Sequence, residues 1–383
     1  MSQPHWGDQT ASGHTDQLVA EVARELASPE TWRAAPTGGW LGVGLVGAGL
    51  IARSGHVPAY QQAGIPIIGL YDRDAGRAAA LAAECGARVY PTVDALLADP
   101  RVQVVDLAIP TPAQPALIRQ VIGAGKSLLC QKPLAETLGE ARALVAEAGR
   151  RGVHLAVNQN GRWEPAIRGL SALLRRGVLG QPRFVTIARL GTIRWELWPW
   201  LHNAERLLLL YDTIHFLDLL RFLFGDPAWI FCSTTQDDRS ALVGETAAVA
   251  TLGWADGLLG TLSNRGLPWP YDERATIELE GTEGVARATL GVFYDYPTGR
   301  PDTLAFCRRE ISGSWHDIPL TGRWIPDAFA GPMAALQRAI VTSSTAENSG
   351  EDNLRTLALV EAAYRSAREH QAIVVSACLM RAD

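Results

Sequence analysis

Leu41-Gly42-Val43-Gly44-Leu45-Val46-Gly47-Ala48-Gly49-Leu50-Ile51-Ala52 decides the fold of this 383-residue chain. Its first six residues are apolar or glycine, the pattern of a strand buried on both faces. Gly47 to Ala52 then spells G-x-G-x-x-A, with a helix expected from about Leu50. Such a turn offers backbone N–H groups and a helix N-terminus to an anion, and a pyrophosphate fits it. Gly47 makes the tight turn, Gly49 lets the pyrophosphate approach, and Leu50 and Ile51 open the helix. Ala52 keeps that helix close to the sheet. A second strand, Ile65–Tyr71, ends at Asp72, near the distance expected for an acid that hydrogen-bonds a ribose diol. A carboxylate there repels a 2′-phosphate and favours NAD over NADP, although Arg73 beside it could hold that phosphate. A glycine-rich turn without a ligand is the competing reading. Strand, turn, helix and acid together weigh against it.

Outward from this turn the chain keeps alternating strand and helix. Helices are expected at Asp74–Cys85, Val93–Ala98, Leu117–Ala124 and Thr137–Arg150, the last opened by a Thr137/Glu140 capping box. Strands are expected at Ala87–Tyr90, Val102–Ile109, Ser127–Gln131 and Val153–Asn158. This is an α/β pattern, a doubly wound parallel sheet of the Rossmann kind. Past Asn158 the rhythm changes. Pro165–Arg176 and Asp212–Phe224 read as helices, while Phe184–Leu190, Thr246–Trp254, Leu258–Asn264, Ala275–Glu280 and Val285–Leu290 alternate with period two. That predicts an α+β domain with an antiparallel sheet, closed by helices at Ala328–Val341 and Asn353–Glu369. The expected organisation is an extension over 1–38 with a short helix at Asp16–Leu26, a Rossmann domain over 39–158, and an α+β domain over 159–383. The late helix 353–369 is a candidate to pack back on the Rossmann domain.

Bulk composition narrows the function. Charged residues make up 20% and the net charge is −5, so nothing suggests a nucleic-acid partner. The N-terminus lacks a signal-peptide pattern and no apolar run is long enough for a bilayer. Five scattered cysteines have no metal-ligand or redox spacing, and a reducing cytoplasm is the simplest reading. No metal is expected.

Two further stretches carry chemistry. Gln131-Lys132-Pro133-Leu134 follows the fifth strand, and ligands of open parallel sheets bind beyond the carboxyl ends of the strands. Lys132 there could stabilise alkoxide charge or move a proton; alone, a lysine after a strand is more often a surface charge. In Tyr211-Asp212-Thr213-Ile214-His215-Phe216-Leu217-Asp218, His215 and Asp218 share a helical face, and Asp212 is one turn earlier or is the N-cap. A histidine flanked by acids suits a general base; a core histidine beside a capping aspartate is the plainer alternative. Trp195, Trp198 and Trp200 precede it, and they, like Trp269, could form a sugar-stacking wall or fill an interface.

Together these residues resemble the glucose-fructose oxidoreductase / inositol dehydrogenase / MocA-like family, from the G-x-G-x-x-A turn to about Glu369. Lys132-Pro133 matches its Glu-Lys-Pro motif and His215-x-x-Asp218 a second marker. The resemblance implies a large open antiparallel sheet in the second domain, often the contact of a homodimer or homotetramer. It implies an NAD(P)-dependent sugar or polyol dehydrogenase in which Lys132 and His215 handle the proton, with Asp212, Tyr211 and Asp218 as supporting candidates. Pro110, Thr111, Gln114 and Gln131 join Gly47, Gly49, Leu50, Ile51, Asp72, Arg73 and Lys132 as expected cofactor-binding residues. Asn158, Arg162, Trp198, Trp200 and His215 are expected at the substrate. Three positions depart from the family pattern: Gln131 replaces a glutamate, Tyr211 an aspartate and Gln114 a histidine. A branch with Gln-Lys-Pro-Leu that holds a D-apiose dehydrogenase looks similar here, which implies an aldose such as apiose. The alternatives are a glycosidase or lyase using NAD transiently, and an NAD-binding sensor or scaffold without turnover.

Overall fold

A computed structural model describes residues 9–28, 33–237, 240–266, 273–296, 298–311 and 313–380; Trp269 lies outside them. The chain divides into two compact units interleaved in sequence. One contains Pro29–Trp163, Trp324–Ala358 and Leu379–Asp383, and the other contains Met1–Ser28, Glu164–Arg323 and Leu359–Cys378.

The first unit is built on a six-stranded sheet, ordered β3-β2-β1-β4-β5-β6. Its strands are β1 Val43–Val46, β2 Ile67–Tyr71, β3 Arg88–Val89, β4 Val104–Leu107, β5 Ser127–Cys130 and β6 Leu155–Val157. All pairings among them are parallel. β1 and β4 are neighbours although the chain makes β2 and β3 between them, which marks a topological switch point. The helices are α2 Val57–Ala63, α3 Ala75–Cys85, α4 Val93–Leu97, α5 Gln114–Gly123 and α6 Leu138–Arg151. Asp74 caps α3 by accepting from Arg77 N–H at 3.0 Å, and Thr137 caps α6 by accepting from Glu140 N–H at 3.2 Å. Leu45, Leu70 and Leu81 pack with Ala48, Ala52 and Ala78 in a buried cluster. Each such leucine contributes about 1.5–3 kcal/mol by leaving water. Small alanines at the contact let the helices lie close to the strands.

The second unit is built on a nine-stranded sheet. Its strands are β7 Pro182–Gly191, β8 Trp229–Thr235, β9 Ala247–Gly253, β10 Leu259–Gly266, β11 Arg274–Gly281, β12 Gly284–Thr289, β13 Thr303–Arg308, β14 His316–Asp317 and β15 Ile373–Val374. Their order is β14-β13-β12-β11-β7-β10-β9-β8-β15. The sheet is mixed rather than purely antiparallel, because β7 and β10 pair in parallel. Half-buried alternation looks the same in either orientation, so sequence did not reveal this pair. Strands β8 and β13 were also not anticipated, although Ile230/Cys232 and Leu304/Phe306 carry the period-two signal. Helices α7 Pro165–Arg175 and α8 Ile214–Phe224 belong to this unit. The extension forms α1 Gln9–Ala27, with Glu25 paired to Arg175 and Arg176, and Glu21 to Arg176. Its role, unreadable in sequence, is to pack on α7.

α9 Ala330–Thr342 packs on β5 and β6, so residues late in the chain complete the parallel-sheet unit. Gln337 of α9 accepts from Leu41 N–H at 2.8 Å and donates to Leu41 O at 3.3 Å, holding the entry to β1. α10 covers Gly350–Glu369, and α11 Val375–Met380 follows it.

A buried carboxyl pair gives this fold a pH dependence. Glu164 is fully buried, and burial first, then the nearby Asp302 carboxylate, hold its pKa well above the usual carboxylate range. A raised folded-state pKa leaves the contribution intact below the unfolded value of 4.5 and removes it as pH climbs toward the folded one. Thermal melts from acid to alkaline pH should therefore show Glu164→Gln gaining on the parent as pH rises. The gain is about 1.4 kcal/mol for each unit by which the acid is raised. Parallel pH profiles for the two proteins would refute it.

Candidate functional site

The parallel register determines which residues emerge together. Val46 pairs with Tyr71 and with Leu107, Leu107 with Cys130, and Cys130 with Val157. Gly47, Asp72, Gln131 and Asn158, each the next residue in the chain, therefore line one carboxyl edge of the sheet. This is the edge at which an open parallel sheet binds ligands.

Gly47 has φ +106°, and a Cβ there would lie 2.4 Å from Ala108 O. Only glycine fits. Gly49 differs: nothing of the protein lies within 4 Å of a Cβ built on it, and Leu50 beside it is exposed. The turn is thus closed against the sheet at Gly47 and open to solvent at Gly49, the shape a pyrophosphate cradle requires. The helix begins at Leu50 and includes a π-turn over Ala52–His56 before α2. Asp72 accepts from Ala48 N–H and Asp74 N–H, each at 2.8 Å, so it braces the glycine turn. Arg73 is exposed, and the guanidinium nearest the Asp72 carboxylate is that of Arg77, at 3.6 Å. Sequence reasoning passed over Arg77 because its position depends on the first turn of α3.

Pro110 is exposed and Thr111 buried, at the 3₁₀ turn Thr111–Ala113 after β4. Gln114 is fully buried; it accepts from Gln131 N–H at 2.7 Å and donates to Gln131 O at 3.1 Å and Pro133 O at 2.9 Å. The structure thus gives Gln114 work beneath the lysine turn rather than on its exposed side. Lys132 is half-buried on that turn, and its peptide bond to Pro133 is cis. Asn158 and Gln159 are buried after β6. The Asn158 Oδ1 and both polar side-chain atoms of Gln159 have no partner in the protein. Buried polar atoms without a partner are uncommon, and three of them cluster at this edge.

Arg162, expected at the substrate, is held within the parallel-sheet unit. It is buried, donating from Nη1 to Glu347 O and from Nη2 to Asp352, each at 2.5 Å. A guanidinium held this way ties the 160–163 turn to residues 347–352.

In the mixed-sheet unit a π-turn over Leu209–Thr213 precedes α8. Asp212 therefore lies within helical chain, one turn before His215, rather than at an N-cap. Its carboxylate accepts from Asn264 Nδ2 at 2.7 Å, and the Thr213 hydroxyl accepts from the same amide at 2.9 Å. Asn264 on β10 is fully buried, so the sheet anchors the segment leading to His215. His215 is half-buried; Asp218 is buried with the Arg221 guanidinium 3.9 Å away. Trp200 meets the nearly buried Tyr211 edge-on at 5.4 Å between ring centroids, and Trp198 lies 5.7 Å from Tyr296. Trp195 is largely buried. Burial and the Asp212 charge push the Tyr296 phenol up to about 12, so it remains a donor at neutral pH. Tyr296 escaped the sequence reading because it is remote from any motif. Among the described residues no group of three or more His, Cys, Asp or Glu could hold a metal, and no helix is long and apolar enough to cross a membrane.

The model of an oxidoreductase family with an NAD-binding Rossmann fold matches residues 41–159, and that of the GFO/IDH/MocA C-terminal domain matches residues 167–287. A D-apiose dehydrogenase of Paraburkholderia graminis is 32% identical over 342 residues, covering 86% of this chain and 88% of that one. An inositol 2-dehydrogenase of Rhizobium meliloti is 28% identical over 342 residues, covering 87% and 98%. An Agrobacterium radiobacter oxidoreductase solved with NAD+, L-tartaric acid and magnesium superposes with a TM-score of 0.75 at 25% identity, covering 88% and 99%. These names are those of oxidoreductases, and the glycosidase, lyase and sensor readings find no counterpart in them.

Proposed function

The chain belongs to the GFO/IDH/MocA oxidoreductase family, and from that membership we propose a dehydrogenase acting on a hydroxyl or carbonyl of a sugar or polyol. The observation that carries it is the shared carboxyl edge, where the open Gly49 turn, Asp72 and the Gln131–Lys132 turn follow strands in register. When bound, the nicotinamide supplies a hydride acceptor or donor. Lys132 hydrogen-bonds the substrate oxygen and stabilises its negative charge as the proton leaves. His215 accepts that proton. Asp212, held by Asn264, and the protonated Tyr296 offer polar partners to neighbouring hydroxyls. Trp198 and Trp200 offer aromatic surface to apolar C–H faces. Similarity to a D-apiose dehydrogenase makes a compact aldose the first substrate to try.

Asp72 favours NAD, since a carboxylate repels a 2′-phosphate. Offered a panel of aldoses and inositols, the protein should reduce NAD with kcat/KM about tenfold or more above NADP. Asp72→Ser should narrow that ratio. Tight NAD binding without reduction of NAD on any member of the panel would return the sensor reading. We further assign the open face of the mixed sheet to a second copy of this chain. Phe231, Val249 and Leu259 are 40%, 52% and 43% exposed and point to one side of β8, β9 and β10. Light scattering should then report a dimer or tetramer, and a monomer at micromolar concentration would refute it.

A further inference from the structure

Beneath the lysine turn lies a buried polar chain that the reaction does not use directly. His56 and Asp106 are both fully buried, with His56 Nδ1 2.6 Å from Asp106 Oδ2. The same oxygen accepts the hydroxyl of buried Tyr60 at 2.6 Å. The other ring nitrogen, His56 Nε2, faces Gln131 Nε2 at 2.7 Å and Asn158 Nδ2 at 3.3 Å. Amide NH₂ groups only donate, and a carboxylate only accepts. The ring proton must therefore sit on Nδ1, leaving the Nε2 lone pair for the two amides. Phe329 packs against the ring at 5.0 Å between centroids and helps fix its plane. The Gln131–Pro133 backbone is also held by Gln114, which accepts one hydrogen bond from it and donates two to it.

We propose that Asp106 and His56 are positioning residues for Lys132: the carboxylate selects the neutral Nδ1–H tautomer, and the Nε2 lone pair anchors Gln131 so that the adjoining lysine keeps one orientation. This role rests on the dehydrogenase reading above. It also accounts for glutamine where the family motif has glutamate. Gln131 donates to a neutral imidazole, whereas a glutamate there would need the ring protonated at both nitrogens. The anchor is thus matched to the tautomer that Asp106 imposes. Each partner is buried or half-buried.

The test uses the full chain with NAD and a sugar it oxidises. Nitrogen-15 NMR, with His56 assigned through His56→Gln, should show Nδ1 protonated and Nε2 bare at neutral pH. Gln131→Leu removes the anchor from a half-buried position and should keep the melting temperature. Its kcat should fall about tenfold or more, as slight misplacement of a reacting group does, while substrate KM changes less than about threefold. Gln131→Glu should recover little of the lost kcat, because a carboxylate has no proton to offer the Nε2 lone pair. Undiminished kcat in Gln131→Leu beside an active parent, or a proton on Nε2, overturns the positioning role alone. A parent that reduces no NAD on any sugar overturns the dehydrogenase reading and this role with it.

Discussion

Lys132→Met should lower kcat by roughly 10²–10⁴-fold, the range typical for loss of a group that stabilises or moves a proton in the transition state. Methionine keeps an unbranched apolar stem close to that of lysine and removes the ammonium. NAD affinity should stay within about threefold if the ammonium acts on the substrate oxygen rather than on the dinucleotide. KM for the sugar should rise less than kcat falls, because charge on the substrate oxygen develops as the reaction proceeds. The turn itself is secured from the backbone side by Gln114, so the variant should fold. Steady-state kinetics with a fluorescence titration of NAD would decide the matter. Equal losses in kcat and NAD affinity would make Lys132 a cofactor residue instead.

The second large effect separates two glycines that a motif treats alike. Gly47→Ala places a Cβ 2.4 Å from Ala108 O at a φ of +106°. Strain of this kind costs about 1–3 kcal/mol before the overlap with a backbone atom is counted. The melting temperature should drop by several degrees, and NAD binding should suffer as the turn shifts. Gly49→Ala meets nothing within 4 Å, so its stability should match the parent. Its NAD affinity should nevertheless fall by about tenfold or more, because the new methyl occupies the space the pyrophosphate approaches. Thermal melts with and without NAD distinguish the two cases. If Gly49→Ala kept full affinity, the cradle would lie elsewhere.

Much of the parallel-sheet unit was legible because local signals agreed with the global fold. Val43–Val46 is apolar, Asp74 and Thr137 cap helices, and Gly86 and Gly152 end them in the left-handed conformation. Each of these is a short-range rule acting on adjacent residues. His56 shows where that legibility stops. Nothing within a few residues of it says that Asp106, fifty positions on, and Gln131, seventy-five on, will meet its two ring nitrogens. The same holds for Gln114, whose amide finds the Gln131–Pro133 backbone, and for Arg162, whose partners lie beyond residue 340.

Sequence by itself determined the element types of the parallel-sheet unit, the glycine turn, the acid after β2 and the lysine after β5, because periodicity, capping and φ preferences are properties of neighbouring residues. Tertiary structure alone decided the parallel pairing of β7 with β10, the return of α9 onto β5 and β6, and the hydrogen-bond partners of His56, Gln114, Arg162 and Asp212. Those depend on burial. A polar group removed from water takes whichever partner the packed chain brings within reach, and that partner is set by how strands and helices assemble.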